Sequence, residues 1–123
     1  MTITKNQEFF QKVNESFANG DVDFLMDHVT EDIHWEMVGE IKVQGKQKVS
    51  EMFEPMRGEK IENYVTHNII THGNTAVIHG SMNMPKEDGS MATYAFCDLY
   101  KLDKFKNGKI KEVKAFLIEV NEA

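Results

Sequence analysis

A chain of 123 residues, 41% hydrophobic and 28% charged, is one domain's worth with enough apolar residues to bury a core, and it lies outside the composition of disordered segments. The net charge of −6 and a single arginine, Arg57, oppose nucleic-acid binding, which depends on Lys and Arg neutralising phosphates. Cys97 is the only cysteine, which excludes an intrachain disulfide, and no paired Cys/His motif offers a structural zinc site. The opening MTITKNQEFF lacks the basic and apolar regions of a signal peptide, and no apolar run approaches the ~18 residues needed to span a bilayer. A single cytoplasmic domain over residues 1–123, with no nucleic-acid or membrane partner and no metal or organic cofactor, is expected.

The first third reads as helical. Phe9, Phe10, Val13 and Phe17 recur at helical spacing, Thr4 and Gln7 suit a capping box, and Gly20 suits the stop. Asp21 then caps a short helix whose inward positions are Val22, Leu25, Met26 and Val29. An apolar stretch from Ile33 to Val38 ends at Gly39. A third helix from about Lys46 carries Val49, Met52 and Phe53 until Pro55 stops it. The second half changes to the period of strands. Tyr64 to His72 meets Thr75 to Met84 across Gly73-Asn74, which suits a type II′ turn, and a strand follows from about Met91 to Leu102. Asn107-Gly108 reads as a type I′ turn returning the chain into Lys109 to Val120. The expected product is an α+β domain with a four-stranded antiparallel meander plus one earlier strand, covered on one face by helices.

In the strand from about Met91 to Leu102, Tyr94, Phe96, Asp98, Tyr100 and Leu102 share one face. A face that only packed a core would carry Val, Ile or Leu, whereas two tyrosines and an aspartate call for hydrogen-bonding partners or a partly hydrated cavity. An outward, merely amphipathic face is the alternative. In the Ile33 to Val38 stretch, His34 and Glu36 share one face and Ile33, Trp35 and Met37 the other. Trp35 reads as core or pocket wall, and Glu36, set among apolar neighbours, as a candidate proton-transfer group. His67 and His79 fall near one another across the first hairpin, and two histidines without a third ligand read as sheet residues rather than a metal site. Cys97 reads as a small buried thiol. The eight methionines read mainly as adaptable core filler.

Taken in order, Asn19-Gly20-Asp21-Val22-Asp23, Thr30 through Gly39, Gly45-Lys46, and Asp98-Leu99-Tyr100 leading to Asn107-Gly108-Lys109-Ile110 resemble the nuclear transport factor 2-like fold, in particular its SnoaL-like and ketosteroid isomerase-like branch. The resemblance covers nearly the whole chain. It implies a cone made of a strongly bent antiparallel sheet and three N-terminal helices, an apolar cavity at the wide end, and a homodimer built on the outer face of the sheet. It also implies that Glu36 stands at the position of the isomerases' general base and Asp98 at that of their protonated oxyanion donor. Val13 stands where those enzymes carry a helix-one tyrosine, and Phe96 where the related epoxide hydrolases carry an arginine.

The expected site therefore holds a small apolar or polycyclic compound, with Glu36 as proton acceptor and Asp98 as donor or anchor. His34, Trp35, Phe53 and Tyr64 line it from one side; His72, Tyr94, Phe96 and Phe116 complete it. The reaction class would be a cofactor-free isomerisation, cyclisation or dehydration. The alternative is a non-catalytic module of the same fold that binds a ligand or dimerises.

Overall fold

The computed structural model describes residues 4–120. Helix α1 (Lys5–Asn19) starts on the expected capping box: the Gln7 amide donates to Thr4 Oγ1 at 3.1 Å, and the Thr4 amide donates to Gln7 Oε1 at 3.2 Å. It ends at Gly20, whose φ of +68° closes the last turn. A Cβ at Gly20 would run into the Met56 carbonyl oxygen and the Glu59 backbone, so glycine is required there by space as well as by φ. Helix α2 (Val22–Asp27) follows, with Asp21 accepting from the Phe24 amide.

The chain then enters strand β1 (Val29–Met37), turns into the short strand β2 (Ile41–Gln44), and forms α3 (Lys46–Phe53), which a single 3-10 turn with Pro55 terminates. Four long strands complete the fold: β3 (Glu62–His72), β4 (Thr75–Pro85), β5 (Met91–Leu102) and β6 (Ile110–Val120). The sheet order is β2-β1-β6-β5-β4-β3. Strand β1 runs parallel to β6, and every other neighbour is antiparallel. The sheet is thus six-stranded and mixed, where a purely antiparallel meander with one added strand was expected. Strand β1 lies between its antiparallel neighbour in sequence, β2, and the last strand, β6, and the parallel pairing is with β6.

The Gly73-Asn74 connection has its positive φ at glycine only, as expected. The Asn107-Gly108 turn differs. Leu102 pairs with Ile110, leaving residues 103–109 as a loop in which only Asn107 has a positive φ. The Asp103 carboxylate accepts from the Lys109 amide at 2.8 Å and holds that loop in place of a two-residue hairpin.

The core lies between the helices and one face of the sheet. Phe10 and Val13 of α1, Leu25 of α2, Ile33 and Trp35 of β1, Val49 of α3, and Ile78, Phe96, Tyr100 and Val113 of the long strands are all buried. Phe10 meets the Tyr100 ring at 5.1 Å, which holds α1 against the C-terminal end of β5.

Candidate functional site

Strand β5 sets the site's facing. Register pairs Tyr100 with Val113, and Val113 with Trp35, so these three side chains share the helix-facing side. Asp98, two residues from Tyr100, shares it as well, between Ile78 of β4 and Ala115 of β6. From β3, Tyr64 stacks on Phe96 at 5.1 Å. Its hydroxyl donates to Asn14 Oδ1 at 2.8 Å, and Asn14 Nδ2 in turn donates to Thr66 Oγ1. Across the enclosure, Trp35 packs edge-on against Phe53 at 4.8 Å and Phe17 at 5.8 Å, and its indole Nε1 is buried without a hydrogen-bond partner.

Burial lifts the Asp98 carboxyl from its ordinary 3.8 to about 7, and no cation or hydrogen-bond donor among the described residues offsets it. Burial also raises the Tyr64 and Tyr100 phenols, and the negative charge of Asp98 raises both further. The three side chains are therefore electrostatic neighbours. Around them Met37, Met82 and Leu117 sit on the helix-facing side of the sheet yet are only partly buried, as are Met52, Phe53 and Met56 on the helical side. These flexible apolar side chains border the helix-facing side of the sheet without being fully shielded from solvent.

The structure gathers Trp35, Phe53, Tyr64, Phe96 and Asp98 on this one side, with Tyr94 at its rim, where it borders a shallow hollow of about 420 Å³ beside Pro85 and Asp88. Other expected members lie elsewhere. Glu36 pairs with Lys42 of β2 and Lys114 of β6, and Lys114 pairs with Leu99, so Glu36 is on the face of the sheet opposite Asp98. His34 shares that outer face. The two line an open groove of about 570 Å³ with Lys42, Gln44, Glu112 and Lys114. The paired-carboxylate site is thereby overturned: strand alternation that buries Trp35 must turn Glu36 outward. Phe116 also lies on the outer face, 39% exposed. His72 is exposed at the β3–β4 turn and lines a cleft of about 940 Å³ with Lys5, Phe9, His28, Phe105 and Lys109, beside the start of α1.

Asn14 and Thr66 escaped the sequence reading. Asn14 had a usable signal, because a polar residue adjoining Val13 within the Phe10 to Phe17 stripe must find a buried partner. The rings of His67 and His79 approach to 5.4 Å on the outer side of the first hairpin. Among the described residues no three metal-ligating side chains cluster.

A profile of the SnoaL-like domain matches residues 10–113. The chain belongs to the SnoaL-like family. Among solved structures, this SnoaL-like domain is similar to an NTF2-like protein of unknown function from Cytophaga hutchinsonii, with 26% identity, a TM-score of 0.67, and coverage of 89% of this chain and 96% of that one. It is similar in fold to an LEH-like epoxide hydrolase of M. tuberculosis, with 16% identity, a TM-score of 0.72, and coverage of 88% and 78%. A third structure, from work on de novo design of proteins with diverse pocket structures, shares 20% identity and a TM-score of 0.72 over 93% of this chain and 99% of its own. No curated protein matches in sequence. Family and fold agree: this is a SnoaL-like α+β domain, and no helix among the described residues is long and apolar enough to cross a membrane.

Proposed function

We propose that this SnoaL-like domain holds a small, largely apolar molecule between its helices and sheet, with Asp98 as the one side chain that anchors and exchanges a proton with the ligand's polar group. The observation that carries this reading is the Asp98 carboxyl, raised to about 7 on the helix-facing side beside Tyr64 and Tyr100. A group titrating near neutrality gives and takes protons with little driving-force penalty at physiological pH. A mechanism with two carboxylates has no support, because Glu36 is on the other face. Catalysis here is limited to chemistry in which one base removes and returns a proton, as in an isomerisation.

Trp35 is the sole tryptophan and is 3% exposed in the wall of the enclosure, so its fluorescence reports occupancy directly. Titrating a panel of apolar ketones and enones should quench or shift that emission. Turnover, followed on the same panel, should inflect near pH 7 and vanish in Asp98→Asn while persisting in Glu36→Gln. Binding without turnover assigns a ligand-binding module. No change in Trp35 emission with any compound overturns the pocket reading.

The outer face of the sheet supports a homodimer: Val65, Ile70, Leu99, Phe116 and Ile118 are exposed there together. The net charge of −6 and the free thiol of Cys97 support a cytoplasmic setting with no nucleic-acid partner.

A further inference from the structure

We propose that the polar group read by Asp98 is a protonated amine, so that the ligand of this enclosure is a lipophilic ammonium compound; the inference rests on the pocket reading above. Among the described residues, the helix-facing side around Asp98 offers one carboxyl and no compensating cation. Arg57, the only arginine, is held outside by Asp23 at 2.8 Å and Glu54 at 2.7 Å. In register Asp98 lies between Ile78 of β4 and Ala115 of β6, and Phe10 of α1 packs on Tyr100 two residues along the same face. The titratable groups that face it are the Tyr64 and Tyr100 phenols.

Two ligand chemistries answer an unpaired carboxyl. A neutral acceptor would bind only its protonated form and gain one neutral hydrogen bond. An ammonium meets the ionised form, gains a charge-assisted hydrogen bond roughly twice as strong, and cancels the cost of the lone buried charge. The surroundings favour the second. Phe96 and Tyr100 flank Asp98 at two-residue spacing on the same face, and Tyr64 lies against Phe96, so aromatic rings neighbour the carboxyl that would hold the cation, a setting that suits cation–π attraction.

A second observation describes the ligand's other end. The Trp35 Nε1 donor, on a residue 97% shielded from solvent (3% exposed), has no acceptor. It projects from β1, two strands and two residues away from Asp98. At ~4.8 Å per strand and ~3.3 Å per residue the two positions are roughly 12 Å apart at the backbone, and less between side chains. A ligand with an amine at one end and an ether, hydroxyl or carbonyl oxygen at the other satisfies both groups.

The test is calorimetric binding of methoxytryptamine, its alcohol analogue methoxytryptophol and its acid analogue methoxyindoleacetic acid, all substituted at the same ring position. At about pH 8.5 and physiological salt the wild type should bind the amine at least about tenfold tighter than the alcohol, with the acid weakest. Asp98→Asn should bring that ratio to about one, whereas Glu36→Gln, which removes a carboxylate from the outer face, should leave it unchanged. In the wild type alone, lowering the pH to about 5.5 should collapse the preference as Asp98 takes up a proton. Equal binding of amine and alcohol by the wild type overturns the ammonium assignment and leaves the pocket reading standing. A preference that survives Asp98→Asn, or that Glu36→Gln removes, also overturns it. Binding of none of the three counts against both readings.

Discussion

Asp98 is placed where a carboxylate is costly. Its strand neighbours are Ile78 and Ala115, its electrostatic neighbours are phenols, and its carboxyl is lifted to about 7 by burial. A carboxyl raised in the folded state binds more protons folded than unfolded between about pH 4 and 7, so stability falls as pH rises through that window. The cost is absent below the unfolded value and complete above the folded one. At about 1.4 kcal/mol per tenfold change in proton affinity, it amounts to a few kcal/mol at pH 8. Asp98→Asn should therefore be more stable than wild type at about pH 8, should match it near pH 4, and should lose the wild-type slope between them. Denaturant unfolding at several pH values measures this, and superimposable profiles for the two proteins would remove the buried charge from the account. Ligand should reverse the comparison: a bound ammonium stabilises the wild type most, through mass action on the folded state.

At the scale of elements, Gly20 joins the end of α1 to the segment after α3. The Gly58 amide donates to the Gly20 carbonyl at 3.0 Å and the Ile61 amide to the Ala18 carbonyl at 2.9 Å, which sets where the helices sit over the sheet. Gly20→Ala imposes a left-handed φ on an L-residue, costing about 1–2 kcal/mol, and drives its Cβ into backbone that cannot move aside. Gly58 has a similar φ of +75° but open space around it, so Gly58→Ala should lose only the φ cost. A melting-temperature drop for Gly20→Ala about twice that for Gly58→Ala is expected, and equal drops would remove the steric argument. The elements that the sequence announces are those with long periodic signals: the α1 stripe with its capping box, and the four long strands. Strand β2 is four residues long, too short for alternation to register. The parallel β1–β6 contact joins residues some 80 positions apart, beyond any local signal. Facing was partly legible. Burying Ile33, Trp35 and Met37 already assigns Glu36 outward, and the homologous general-base position implied by family resemblance is what placed it inside. Asp98 stands out because a carboxylate between aromatic residues on a strand has no purely packing explanation, whereas Asn14 signals only a buried polar residue: its partner Tyr64 lies 50 positions away, too far for spacing to name it.

Over the whole molecule, the sheet separates two surfaces of different character. One face, under the helices, carries Asp98 and the aromatic enclosure. The other exposes Ile118 at 65%, Ile70 at 59%, Val65 at 46%, and Leu99 and Phe116 at 39% each, an apolar concentration larger than scattered surface residues account for. A second copy laid on this face buries the same side chains from both chains by two-fold symmetry, and a stable pair needs about 800 Å² from each. Because the contact is isologous, Ile118→Lys places two like charges in one apolar interface, and the dimer should weaken by at least about a hundredfold. Sedimentation of wild type and variant over a range of concentrations measures this, and a wild type that stays monomeric at about 100 μM, far above the Kd of a stable pair, would exclude the outer face as a dimer contact. The variant should keep its amine binding, since Ile118 and Asp98 are on opposite sides of the sheet. Loss of both together would mean instead that the enclosure depends on the paired state to hold its shape.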